Sequence, residues 1–382
     1  MRRSVLILAV VVGAGLLAGP VALQERLVVG ESPYNVVDNW MKPFAENGFA
    51  WGAHSAVYAE SPDRIFVSQR GEIRLPDPLP AGFSGFVGSI GLNPLQPEEG
   101  QRTWRNVLFV VDGDGNMIES WTQWDELFAE TPAGDPPFGG GPHKIRISPY
   151  DPARRVWVVN SNKHVIYAFS NDGSELLMTL GEEGVSGEDE THFRLPQDIA
   201  FMEDGTMFVV DGWGGNDRIV KFDAEGDYVT HWGERGNGRG EFNNPHAIAT
   251  DVRGNIYVAD MGNSRVQVFN QTTRSTWYHP NISPIGTWPG FDIPVEIYIT
   301  GYDVWVSSAN NMVKLDVNGN RLFSYDLAGE GPGQFLGLHQ FSVDSDGNWY
   351  GAGNQLGRTQ KFSPKDEAPF AELMSAPNPP LQ

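Results

Sequence analysis

Short apolar runs separated by clusters of Gly, Asp and Asn fill most of the chain, and their apolar positions follow the spacing of strands rather than of helices. Arg64-Ile65-Phe66-Val67-Ser68, Val107-Leu108-Phe109-Val110-Val111 and Val156-Trp157-Val158-Val159-Asn160 are of this kind, rich in β-branched and aromatic residues. Asp112-Gly113-Asp114-Gly115-Asn116 joins the second of them to Met117-Ile118-Glu119-Ser120-Trp121. It reads as a hairpin turn, since it lacks the spacing and terminal Glu of a helix-loop-helix calcium site. No helical domain is expected.

The runs belong to a repeat. Its clearest copy is Pro245-His246-Ala247-Ile248-Ala249-Thr250-Asp251, continued by Gly254-Asn255-Ile256-Tyr257-Val258-Ala259-Asp260 and Asn263-Ser264-Arg265-Val266-Gln267-Val268-Phe269. Equivalent units open at Pro142-His143, Pro196-Gln197, Pro294-Val295 and Leu338-His339. With His246 included, the second residues of the five units lie 54, 49, 49 and 44 positions apart. A period of this size, with about four short strands per unit, is the signature of a β-propeller. With the block at Ala53-His54-Ser55-Ala56-Val57-Tyr58, the count predicts an all-β, six-bladed propeller over residues 53–363. Residues 25–52 are then a lead-in segment that packs against or leads into the first blade, and 364–382 a tail. Phe193, Phe242, Phe291 and Phe335 recur just before the opening position and are expected to pack between blades. The Pro- and Gly-rich stretch 73–103 reads as a lid or rim loop.

Composition narrows the chemistry. Among 382 residues, 48 Asp and Glu against 27 Lys and Arg give a formal charge of −21, so a phosphate backbone would be repelled and nucleic acid is not an expected partner. No cysteine is present, which removes disulfides, thiolate nucleophiles and Cys-ligated metals together. Met1-Arg2-Arg3 followed by an apolar run to Leu17 has the form of a secretory signal in residues 1–24, or of a short N-terminal anchor. The expectation is an exported protein, periplasmic or extracellular, that works as a monomer on a small-molecule or peptide substrate.

Three units carry histidine at the same position: His143, His246 and His339. In a propeller the strand that opens each unit lines the central channel. Alternate copies therefore aim three imidazoles at one point on the axis. Three neutral nitrogens and an open position are what catalytic zinc takes, so these residues are the expected ligands of zinc or a similar divalent metal. His54 aligns only loosely with them and is expected to support the core or the site. His164, His192, His231 and His279 fall on strands or outer loops, where packing or surface roles are expected.

The unit quoted above resembles the NHL repeat, and the succession of units, most of all over 191–269, is similar to the peptidyl-α-hydroxyglycine α-amidating lyase family. That resemblance implies a six-bladed propeller with zinc on His143, His246 and His339, and cleavage of a carbinolamide into an amide and glyoxylate. It also implies an active-site role for Arg70, in Gln69-Arg70-Gly71. Where the family has a tyrosine proposed as general base, this chain has Trp213, whose indole donates only. Where it has a second arginine, this chain has Met261. These two are expected to form apolar walls of the substrate site. Gln340 stands where the family has an aspartate that helps hold a structural calcium, and the family's disulfides are absent. The expectation is thus a metal-dependent lyase, acting on a carbon–nitrogen or carbon–oxygen bond, with an altered substrate. A different zinc-dependent lyase or hydrolase reaction is the alternative, and a non-catalytic NHL propeller that binds protein or carbohydrate is a third reading.

Overall fold

In the computed structural model the described residues are 28–42, 45, 47–129, 140–271 and 284–375. The predicted leader, His279 and the end of the tail lie outside them. Among the described residues the fold is all-β apart from single helical turns, and its strands form repeated small antiparallel sheets that resemble propeller blades.

Six of the sheets follow one plan, with strands paired in chain order. The fourth is typical: Pro245–Thr250 pairs with Asn255–Asp260, then Arg265–Asn270, then Gly286–Pro289. The opening strands of the other five are His54–Ser61, Lys144–Ile147, Pro196–Phe201, Pro294–Thr300 and Leu338–Val343. The connecting turns use one device. Asp112, Asp251, Asp316 and Asp344 each accept two backbone N–H groups, two and four residues on. The Asp112 turn is therefore one copy of a recurring hairpin turn, as its sequence suggested.

Apolar side chains fill the space between successive sheets. Phe208 and Val210 of the third pack with Ile248, Ile256 and Val258 of the fourth. Val57, Val67 and Phe109 of the first pack with Tyr350 and Ala352 of the sixth. Phe193, Phe242, Phe291 and Phe335 are all buried in these inter-sheet layers, which accounts for their recurrence.

Two segments differ from the sequence reading. Trp40, Met41 and Trp51 of the 25–52 segment pack against the first sheet as expected, whereas Tyr34–Val36 pairs antiparallel with Arg358–Pro364 and supplies the outer strand of the sixth sheet. Val28–Val29 adds a parallel strand to the fifth sheet. The 73–103 stretch is anchored at both ends, where Glu72–Arg74 and Arg102–Thr103 form a three-stranded sheet with Phe49–Trp51. Its Leu95 reaches the cavity described next.

Candidate metal centre

Every opening strand except the second contains a register shift, and the residue skipped is the one after the strand's entry position. The shifts fall between His54 and Ala56, Pro196 and Asp198, Pro245 and Ala247, Pro294 and Glu296, and Leu338 and Gln340. Ser55, Gln197, His246, Val295 and His339 are thus taken out of the ladder, and His143 precedes its strand directly. A bulge re-aims a side chain. These six residues form one equivalent set, and the first sheet contributes Ser55 rather than His54. The missing Pro before this unit put the two out of phase by one residue.

His54 is instead buried in the core between Trp51 and Phe109, with Nδ1 on the Thr359 hydroxyl at 2.9 Å. Burial brings its pKa down to about 3. His164 is likewise structural: its Nδ1 accepts the N–H of Leu195 at 3.2 Å. His192 and His231 make local side-chain contacts, with Asp189 and Tyr228 respectively.

The three remaining histidines of the described residues meet. The potential ligand atoms of His143, His246 and His339 lie within 4.8 Å of one another, with ring centroids 4.6–5.0 Å apart. All three are buried. Each ring is oriented by the backbone of the next residue in the set: His143 Nδ1 lies 2.8 Å from the Gln197 carbonyl, His246 Nδ1 2.8 Å from that of Val295, and His339 Nδ1 2.7 Å from that of Ser55. A carbonyl only accepts, so each Nδ1 carries the proton and each Nε2 offers a lone pair. Burial holds His143 and His339 well below the ordinary histidine range and brings His246 to about 3, with nearby cationic groups adding to the effect. The donor set is therefore three neutral, pre-oriented imidazoles, a cluster capable of holding a divalent metal.

A cavity of about 380 Å³ opens onto this cluster, lined also by Arg70, Trp213, Met261 and Ile293. The fold thus gathers every site residue expected from the sequence. Arg70 is buried, and its Nε donates to the Pro142 carbonyl at 3.3 Å, one residue before His143. Gly212 brings the Trp213 loop against the fourth sheet: a Cβ there would lie 2.0 Å from the Pro245 carbonyl oxygen.

Beneath the histidines is a group of charges that the sequence reading did not single out. Lys144, Glu296 and Asp198 are fully buried, and Arg146 pairs with both carboxylates at 2.5–2.7 Å. Burial lowers the Lys144 pKa, opposed by Glu296 and Asp198. Gln340 donates Nε2–H to the Ile145 carbonyl at 2.7 Å and accepts the Ile145 N–H at 3.2 Å. Its amide is committed as both donor and acceptor and supplies no carboxylate at the position where the resemblance implies one.

Residues 242–269 match the NHL repeat. The chain is 33% identical over 175 residues to mouse (Mus musculus) NHL repeat-containing protein 3, covering 44% of this chain and 46% of that protein. It is 36% identical over 140 residues to a probable peptidyl-alpha-hydroxyglycine alpha-amidating lyase of Caenorhabditis elegans, covering 35% and 39%. The chain thus spans less than half the length of these curated relatives. Among solved structures, a structural genomics protein from Bacteroides thetaiotaomicron superposes with a TM-score of 0.50 at 13% identity, over 86% of this chain and 73% of that one. That likeness is one of fold.

Proposed function

We propose that the chain is an exported, monomeric, metal-dependent lyase of the amidating-lyase type, built on a closed six-bladed propeller, with zinc held by His143, His246 and His339. The observation that carries this reading is the cluster itself: three imidazoles on alternate members of one structural set, each with Nδ1–H engaged and Nε2 available. Ring closure is supported by the apolar layer between the sixth and first sheets and by Tyr34–Val36, which ties the two ends of the chain into one sheet. Export rests on the residue pattern before Gly19. Among the described residues no helix is long and apolar enough to cross a membrane.

When bound, zinc with an open position supplies Lewis acidity toward a substrate oxygen. The protein supplies the rest. Arg70 orients a substrate carboxylate or stabilises developing negative charge through its planar fork of donors. Trp213 and Met261 form walls that exclude water. In the reaction considered, the carbon–nitrogen bond of the carbinolamide breaks, the hydroxyl proton passes to the departing amide nitrogen, and the carbon leaves as the aldehyde of glyoxylate. Trp213 cannot accept that proton, because its indole nitrogen has no basic lone pair.

This departure, together with Met261, favours a second reading in which the same metal centre serves another lyase or hydrolase reaction on a less charged substrate. Incubating metal-loaded protein with an α-hydroxyglycine-terminated peptide distinguishes the two. Glyoxylate release supports amidating-lyase activity, whereas its absence from protein with a full metal complement leaves the second reading.

A further inference from the structure

We propose that Lys144 is a positioning residue for the metal centre, its ammonium linking the His143 and His339 segments to the carbonyl that orients the His246 ring. The inference rests on the trihistidine metal site proposed above and concerns how the protein holds that site in shape.

Lys144 Nζ faces three acceptors: the His339 carbonyl at 2.7 Å, the Val295 carbonyl at 3.2 Å and the Glu296 carboxylate. A neutral amine has two N–H donors and a lone pair that would point at one of these oxygens. An ammonium has three donors and no lone pair, so it is the species that fits. Two of these contacts and the chain itself bear on the histidines. Lys144 follows His143 directly in the chain. Its partner Val295 oxygen is the one that orients the His246 ring, and another contact is to the backbone of His339 itself. One cation of the second sheet thus contacts the fifth and sixth sheets and, through the Val295 carbonyl, bears on the His246 ring of the fourth.

The surrounding charges keep that cation in place. Glu296 accepts from Lys144 and from Arg146, and Arg146 also makes a two-pronged contact with Asp198, at 2.9 and 2.7 Å. Asp198 in turn accepts the Ile248 N–H at 3.1 Å, two residues beyond His246. Two cations balance two carboxylates. A buried pair used only for stability could be replaced by apolar groups at little cost. A pair that sets the spacing of metal ligands could not be replaced without loosening them, and the groups that orient ligands typically account for 10–100-fold in metal affinity.

The test uses the double variant Lys144→Met/Glu296→Gln, which removes one charge of each sign. Zinc affinity is measured by calorimetric titration of metal-free protein, and ligand geometry from the visible spectrum of the cobalt-substituted form. The expected result is zinc binding weakened about 10–100-fold with an altered cobalt spectrum, while the metal-free variant keeps its wild-type circular dichroism. Unchanged affinity and spectrum in a folded variant would overturn the proposal and leave the metal site intact. Failure of the wild-type protein to bind zinc overturns both. Should the variant not fold, NMR of lysine NH3⁺ groups in the unmodified protein decides: a slowly exchanging Lys144 signal moves in step with zinc addition if the coupling exists, and stays fixed if it does not.

Discussion

His246 and Val295 occupy equivalent positions in neighbouring sheets, and the ring Nδ1–H of the first donates to the main-chain carbonyl of the second at 2.8 Å. The same relation joins His143 to Gln197 and His339 to Ser55. A backbone oxygen is present whatever side chain the position bears, so the three residues between the histidines can vary in type while still fixing each ring's tautomer. The repeat thus supplies both the three imidazoles and the groups that aim them.

Gly212, in the Trp213 loop, lies against the Pro245 carbonyl of the strand that carries His246. Gly212→Ala places a methyl group 2.0 Å from the Pro245 carbonyl oxygen, and relief requires the loop or the strand to shift. Such overpacking costs about 1–3 kcal/mol. Urea unfolding of the metal-free variant measures that loss, and zinc titration is expected to report weaker binding because the displaced carbonyl immediately precedes His246.

The acid limb of stability has an identifiable contributor in His54, buried and brought to a pKa of about 3. Its unfolded value is near 6.5, so between these values the unfolded chain binds the additional proton. The stability of the neutral buried form is fully present above about 6.5 and is lost progressively as pH falls toward about 3. His54→Gln removes this dependence. The stability difference between wild type and variant is expected to change by about 2 kcal/mol between pH 7 and pH 5, measured by urea unfolding at both values.

Trp213→Tyr adds a phenol to the cavity where the resemblance places a general base. If the altered substrate preference stems from this position, glyoxylate release from an α-hydroxyglycine-terminated peptide rises at least about tenfold, a modest part of what a positioned base contributes. Steady-state assay at equal zinc content is the check. Unchanged rates would move the cause elsewhere in the pocket.

Arg70 separates a substrate role from a packing role. Arg70→Lys keeps the charge but loses the fork that matches a carboxylate. Turnover of a carboxylate-bearing substrate is expected to fall about 100-fold, with zinc content and thermal midpoint near wild type. A parallel loss of zinc would instead assign Arg70 to holding Pro142 and, through it, His143.

The repeated strands and the three histidines were legible in the sequence because each lies at a fixed offset from Pro245, Pro142 or Leu338 within a local pattern. Ser55 was obscured, since no proline marks its register and His54 beside it draws attention. The Tyr34–Val36 strand could not be read, because three residues carry too little periodicity and their partner lies at the other end of the chain. The charges below the site were hidden for a related reason: Lys144 and Glu296 are 152 positions apart and meet only when their sheets are assembled. Arg70, Trp213 and Met261 entered through resemblance, and the cavity that brings them together came from the fold.

The most direct measurement is the metal content of the purified chain by elemental analysis, before and after His246→Ala. One zinc or similar divalent ion per chain is expected, lost in the variant while the circular dichroism of a β protein is retained. A wild-type chain that takes up no stoichiometric metal even when zinc is supplied, or a His246→Ala variant that retains it, would contradict the central claim.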